Sequence, residues 1–492
     1  MERKASIMVL SGPSVNFQSG RKWSDYGIVN LGSEGSKYIR NYIERFNTVS
    51  FFNEYAGILS FFFVAGQVLA PFMRIPIHGA HIDCRVHVFW IQQSRTGKSI
   101  AYEFTAKLLE ACGIPREDFT AGSDAKLIGT VDERPVYDDE GKPTGEKEHI
   151  TIPGILNGYK TLTFDEGSVL LNDSKAYFSD KILYLQQSMA PLGSASNVMV
   201  KHLVGGTVRT PSGVSLWMTT FPPKDIMAHV LEKGFFQRVF LYQNDVGIEQ
   251  RQTTSEHRLS GAYVPVPDNV WGYEELAEYL IDVRDEVRDR LLNITGLGIA
   301  EYEALTEGER EDLAVNNALL LFNVGPNYHA ALLNACDDYY ALIRGVKNEN
   351  VRETAMSFLP NVENYTMIFA NIICAFNRTN VITAEHVHLA SEIIYDNLHN
   401  LTIWLEQKQD YRETKKRDSE IESWKKAHAK VQRHLHKQSG REVVKKPDIE
   451  KAYAKQEAVA LRTAQRRMDK MVEGQVFKRF TEGRNAYVAL EV

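Results

Sequence analysis

Read for the spacing of its apolar positions, the chain falls into blocks of different period. Residues 36–73 predict two helices, one over 36–46 and a second, strongly apolar one from Phe51 onward, before Pro71, Pro76 and Gly79 break the pattern. The stretch 55–73 (YAGILSFFFVAGQVLAPFM) carries no charge and is long enough to cross a bilayer. Ser60, Gly66, Gln67 and Pro71 interrupt it, so a buried core helix is the preferred reading. The run VHVFWI from Val86 is short and wholly apolar between polar neighbours, as in a strand buried in a parallel sheet. GKSIAYEFTAKLLEAC then places Ile100, Phe104, Leu108 and Leu109 at helical spacing, so strand, tight loop and helix follow one another over 86–112.

Two further buried strands are predicted at 161–164 (TLTF) and 214–218 (VSLWM), each after a turn containing glycine. Between the first two strands, residues 131–152 give two β-prone arms around Asp-Asp-Glu-Gly-Lys-Pro, a protruding hairpin. Residues 247–262 are polar without apolar period and predict a linker. Helix-rich sequence continues to about residue 410, its last helix N-capped by Thr383. The remainder predicts a helix over 421–436, a short one after Pro447 and a third opening at Thr463. Two strands, QVFKRF and AYVALEV, follow around the four-residue turn Glu482-Gly483-Arg484-Asn485.

At 492 residues the chain exceeds what one core usually fills. The blocks divide it into a helical N-terminal region (1–78), an α/β core (79–246), a linker with a helical lid (247–410) and a terminal module (411–492). Charge separates them too. The net charge is −6, yet residues 411–492 carry +9 and the rest −15. That split suits an acidic enzymatic body joined to a basic module for a polyanion, although a solvated surface accounts for part of it. Cys84, Cys112, Cys336 and Cys374 are scattered without a CxxC pair, which argues against a zinc site or a disulfide framework. With no secretory signal in MERKASIMVLSG, a cytoplasmic protein without a membrane partner is expected.

The chemistry concentrates between the first strand and its helix. Gly97-Lys98-Ser99 sits where a phosphate-binding loop aims backbone N–H groups and a helix N-terminus at phosphate. The loop residues Ser94, Arg95, Thr96 and Gly97 would cradle ATP, Lys98 would reach its β- and γ-phosphates, and the Ser99 hydroxyl would ligate Mg²⁺. Gln92 departs from the pattern GxxxxGK[ST], which expects glycine there. The strand TLTF delivers Asp165 and Glu166 at its C-terminal end, where binding crevices of open α/β sheets lie. Asp165 would hold the metal shell and Glu166 would deprotonate the attacking water; the bland alternative is a solvated turn. Thr219 and Thr220 either sense the γ-phosphate or close the turn before Pro222 and Pro223. Arg238, among apolar neighbours, is either an arginine acting in trans or an ordinary ion-pair residue.

The order of these pieces resembles the minichromosome-maintenance branch of AAA+ helicases, and the helicase-like P-loop ATPases of phages and plasmids. The likeness covers about residues 80–245, through AGSDAKLIGTV, GILNGYKTLTFDEG, KILYLQQSM and GFFQRVF. It implies an AAA+-type P-loop core with a parallel sheet and β-hairpin insertions. It also implies ATP and Mg²⁺ as cofactors, DNA as partner, other replication proteins nearby, and a hexameric ring in which Arg238 serves a neighbour's site. On that resemblance residues 197–208 form a pore hairpin with Lys201 on the DNA backbone, the alternative being a surface lysine. Phe221 departs from the sensor asparagine such helicases often carry, which points to a divergent viral or mobile-element version. The terminal block resembles a winged helix-turn-helix, with Gln465, Arg466 and Lys470 at a major groove and Lys478, Arg479 and Arg484 on phosphates. Such modules also dock proteins. The function implied is a replicative ATP-dependent DNA helicase or translocase; the alternative is a DNA-bound ATPase switch, an initiator or helicase loader, without processive unwinding.

Overall fold

The computed structural model describes residues 22–49, 54–77, 79–93, 96–119, 124–137, 142–165, 167, 178–203, 206–222, 234–260, 269–431, 436–438, 441–473, 476–482 and 485–490. The chain divides into two compact units, Met1–Leu405 and Glu406–Val492.

The first unit is α/β. Its parallel sheet comprises β1 (Val88–Gln92), β2 (Arg116–Asp118), β3 (Thr161–Phe164), β4 (Ser215–Thr220) and β5 (Phe240–Asn244), in the order β5-β1-β4-β3-β2. Three of these strands are the apolar runs marked in the sequence. β2 has no such signal, since its residues are Arg116, Glu117 and Asp118; it is a strand because its backbone pairs with β3. β5 lies at the other edge, and that edge is covered. Asn397 and Asn400 of the helix Ala384–Lys430 donate their side-chain amides to the Leu241 and Gln243 carbonyls at 3.1 and 2.8 Å.

Helices α1 (Glu34–Val49) and α2 (Glu54–Leu69) match the expected N-terminal pair. The apolar α2 is a core helix, packed against α1, against α3 (Lys98–Ala111) and against the helices Tyr273–Thr295 and Leu359–Phe376. Phe63 meets Trp217 of β4 edge-on, and Phe62 stacks on Phe369. Its polar interruptions all have buried partners: Ser60 bonds Tyr42 and Thr105, and Gln67 bonds the Lys160 and Gly213 carbonyls and Ser215. No helix among the described residues is long and apolar enough to cross a membrane.

Both expected hairpins form, Gly129–Tyr137 with Pro143–Pro153 and Val198–Leu203 with Gly206–Pro211. The 247–262 segment differs from its reading as a linker, for it holds the helix Ile248–Ser260. Apolar periodicity marks helices that bury a face, and this one leaves Ile248 and Leu259 84% and 79% exposed, so it has no period to detect.

The second unit contains the helices Lys446–Gln456 and Leu461–Glu473 and a four-stranded antiparallel sheet. Its core stacks Trp424 on Tyr453 beneath Ala464, Met468 and Phe477. Three details differ from expectation. The expected helix over 421–436 is the tail of the helix Ala384–Lys430, which ends before His436, and His436 instead opens the strand His436–Gln438, paired with Arg441–Lys445. The third helix opens at Leu461, before Thr463. Glu482 and Asn485, expected in the turn, are the closing pair of the ladder between Phe477–Glu482 and Asn485–Leu490. In the first case buried Val443 and Val444 decide the outcome, because Val444 pairs with Val488 across a span no local pattern sees.

Candidate functional site

All five sheet strands end on the same edge, and their last residues are polar: Gln92, Asp118, Asp165 just beyond β3, Thr220 and Asn244. The chain leaves β1 through α3 towards β2, and returns through β3 and β4 to lie beside β1. It then passes β1 to form β5, so the strand order reverses there and the loops diverge into a crevice.

The loop after β1 turns into α3 at Gly97, whose φ of 92° is left-handed and suits glycine. Lys98 is the first residue of the 14-residue helix, and its ammonium folds back on the loop, donating to the Gln92 and Gln93 carbonyls at 2.6 and 2.9 Å. Ser99 points the other way. Its hydroxyl donates to the Asp165 Oδ1 at 3.2 Å, bringing together two residues 66 positions apart in the chain. Thr219 closes the group from β4, donating to the Asp165 carbonyl oxygen at 2.8 Å, while Gly167 N–H donates to the Thr219 carbonyl at 2.7 Å. Thr219 rather than Thr220 meets Asp165, because successive strand side chains face opposite ways. Ser94, Arg95 and Glu166 lie outside the described residues.

Sequence reading missed the wall beside this group. A cleft of about 280 Å³ opens between Ser99, Asp165 and Thr219 on one side and Tyr102, Arg116, Asp118 and Thr163 on the other. Arg116 grips Asp118 with two bonds of 2.9 Å and also pairs with Glu103. The Arg116 guanidinium, with lesser help from Thr163 and Tyr102, holds the Asp118 carboxyl well below the usual carboxylate range. Tyr102 lies one helical turn after Ser99, which was the available signal. Asp118 gave none, because it reaches the cleft only through the pairing of β2 with β3.

Two sequence candidates lie elsewhere. Arg238 precedes β5 and is exposed, with its Nη1 donating to the Gly234 carbonyl at 2.8 Å. It therefore lies at the N-terminal edge of the sheet, a strand length of roughly 17 Å from the loop edge. There it lines a separate cleft with Arg85, Gln186 and Tyr365. Lys201 sits on the Val198–Leu203 strand opposite Val208, half-buried. In the second unit, Gln465, Arg466 and Lys470 are exposed on one helix, and Lys478 and Arg479 are exposed on the neighbouring strand. Arg484 lies outside the described residues.

Among the described residues no group of three or more His, Cys, Asp or Glu side chains could hold a metal ion on protein ligands alone. The paired oxygens of Ser99 and Asp165 fit a hard cation that takes one or two protein ligands and completes its shell from phosphate and water, as Mg²⁺ does. In comparison with known proteins, no protein-family model and no curated protein matches the chain.

Proposed function

We propose that this chain is an ATP hydrolase of the AAA+ P-loop type, acting on DNA as a helicase or translocase in a ring of like subunits. One observation carries the reading: a helix N-terminus with Lys98 and Ser99, preceded by a left-handed glycine, faces an acid at the end of a parallel strand, with Ser99 and Asp165 3.2 Å apart. Separate strand-end turns have no reason to converge so; a nucleotide site requires it.

Lys98 would leave its carbonyl partners for the β- and γ-phosphates, and the backbone N–H groups at the head of α3 would hold the same oxygens. Mg²⁺, when held by Ser99 and Asp165, would neutralise charge on the phosphates. Glu166 would take the proton of the attacking water. Arg238, on the opposite sheet edge from Lys98, could not serve its own subunit's site; in a ring that edge would face a neighbour's loop, which supports the trans role. The second unit resembles a winged helix, and its exposed Gln465, Arg466, Lys470, Lys478 and Arg479 would meet the duplex, with Lys201 on the backbone.

Lys98→Ala should abolish ATP turnover while leaving the melting temperature near that of the parent chain; surviving turnover would remove the site assignment. Strand displacement on forked DNA then separates two modes of action. Release of the strand supports a motor, whereas hydrolysis without release supports an initiator or loader.

A further inference from the structure

Gln92 stands where the phosphate-loop pattern calls for glycine, and its surroundings give it a task. Its backbone belongs to β1, paired with Asn244 of β5, so the position needs no glycine. Its side chain is 0% exposed and uses its full hydrogen-bonding capacity. Nε2 donates to the Thr96 carbonyl at 3.1 Å and the Thr96 hydroxyl at 2.7 Å, while Oε1 accepts from Trp90 Nε1 and Asn244 Nδ2, both at 2.9 Å. One amide thus ties the loop residue just before Gly97 to its own strand and to the next. Gln93 repeats the tie on the outside: it bonds the Asp245 carboxylate and the Val246 N–H, each at 2.9 Å, and its carbonyl accepts from the Thr96 hydroxyl at 2.6 Å. The carbonyls of these same two glutamines hold the Lys98 ammonium.

We propose that Gln92 is a positioning residue for the phosphate loop: through Thr96 it holds the residue before Gly97, at the head of α3, in place before any nucleotide arrives. The inference rests on the nucleotide reading above. A glycine-rich loop gains close approach to phosphate but must be ordered on binding. A buried amide that already holds Thr96 removes part of that ordering in advance, and the gain is in affinity. Restoring the consensus glycine at this position should therefore weaken nucleotide binding.

The test uses the full chain. Mg-ADP binding is measured by calorimetry, and kcat and KM by ATP turnover, for the parent, Gln92→Gly, Gln92→Met and Lys98→Ala. Gln92→Gly and the volume-conserving Gln92→Met should raise the Kd for Mg-ADP and the KM for ATP about tenfold, with the number of sites titrated per chain unchanged and kcat at saturation within about threefold. A merely structural role would instead lower the number of titrated sites and leave the Kd of the remainder unchanged. Should the core variants fail to fold, Thr96→Val removes the hydroxyl half of the tie, leaving the bond to the Thr96 carbonyl, and should raise Kd about threefold. Unchanged Kd in all three, beside a parent chain that binds Mg-ADP and a Lys98→Ala variant that does not, would overturn the positioning role and leave the nucleotide site standing. A parent chain that does not bind Mg-ADP, or a Lys98→Ala variant that binds as well as the parent, would overturn the site itself.

Discussion

At the scale of single residues, the polar groups inside the first unit are placed by partners far away in sequence. Arg85 is 3% exposed and binds Asp83 together with the Ser188, Ala190 and Val214 carbonyls. Burial would raise the Asp83 carboxyl, but Arg85 outweighs it and brings the group down to about 2. His87, fully buried two residues later, accepts the Leu216 N–H on Nδ1, and burial, reinforced by Arg85, pushes its pKa down to about 3. The folded chain therefore keeps His87 neutral, whereas the unfolded chain takes up a proton as the pH drops below 6.5. The unfolded state binds more protons across that window, so stability is lost as the pH falls through it. Asp83 contributes only below its ordinary value of 3.8, so between 6.5 and that value His87 acts together with His386 and His428, whose imidazole pKa values burial also lowers. His87→Gln should flatten the decline of melting temperature over that range, measured by circular dichroism; an equally steep decline would show that other groups carry it.

At the scale of elements, α2 shows how one sequence feature can have two readings until its neighbours are known. Its lack of charge is compatible with lipid or with protein surroundings. The buried partners of Ser60 and Gln67 are what make it a protein core helix. Gly66 gives a second case. Helix propensity alone predicts that Gly66→Ala stabilises by about 0.5–1 kcal/mol. A Cβ there would collide with the Cys84 carbonyl, just past the strand Ala80–Asp83, so the substitution should destabilise the chain by about 1–3 kcal/mol in urea denaturation. A stabilised variant would mean that the helix can shift away at little cost. The first hairpin was legible because its arms are β-prone and its turn carries glycine, whereas the second was expected only through the family resemblance. The helix Ile248–Ser260 was not, since it buries no apolar face.

At the scale of the whole molecule, charge and architecture divide in the same place. The sequence turns basic at about residue 411, and the second compact unit begins at Glu406. That unit has its own core around Trp424 and Tyr453, so substitutions of exposed residues on its strand Phe477–Glu482 should leave the core intact. With Lys478 and Arg479 on phosphates, changing both to alanine should weaken DNA binding and reduce the slope of log K against log salt by about 2, read from anisotropy titrations. Binding and slope that stay at parent values would assign this face to a protein partner.

By itself the sequence determined what short-range pattern can encode: the strand, loop and helix around Lys98, the acid at the end of TLTF, the hairpin over residues 131–152 and the basic terminal block. Each depends on residues close in the chain. Tertiary structure alone decided that Ser99 meets Asp165, that charged Arg116–Asp118 is a strand lining the cleft, and that Arg238 lies on the opposite sheet edge. It also gave Gln92 its role as a brace. Those outcomes follow from the order in which parallel strands pair, and strand order is set by which faces bury together across more than a hundred residues, a quantity no local period records.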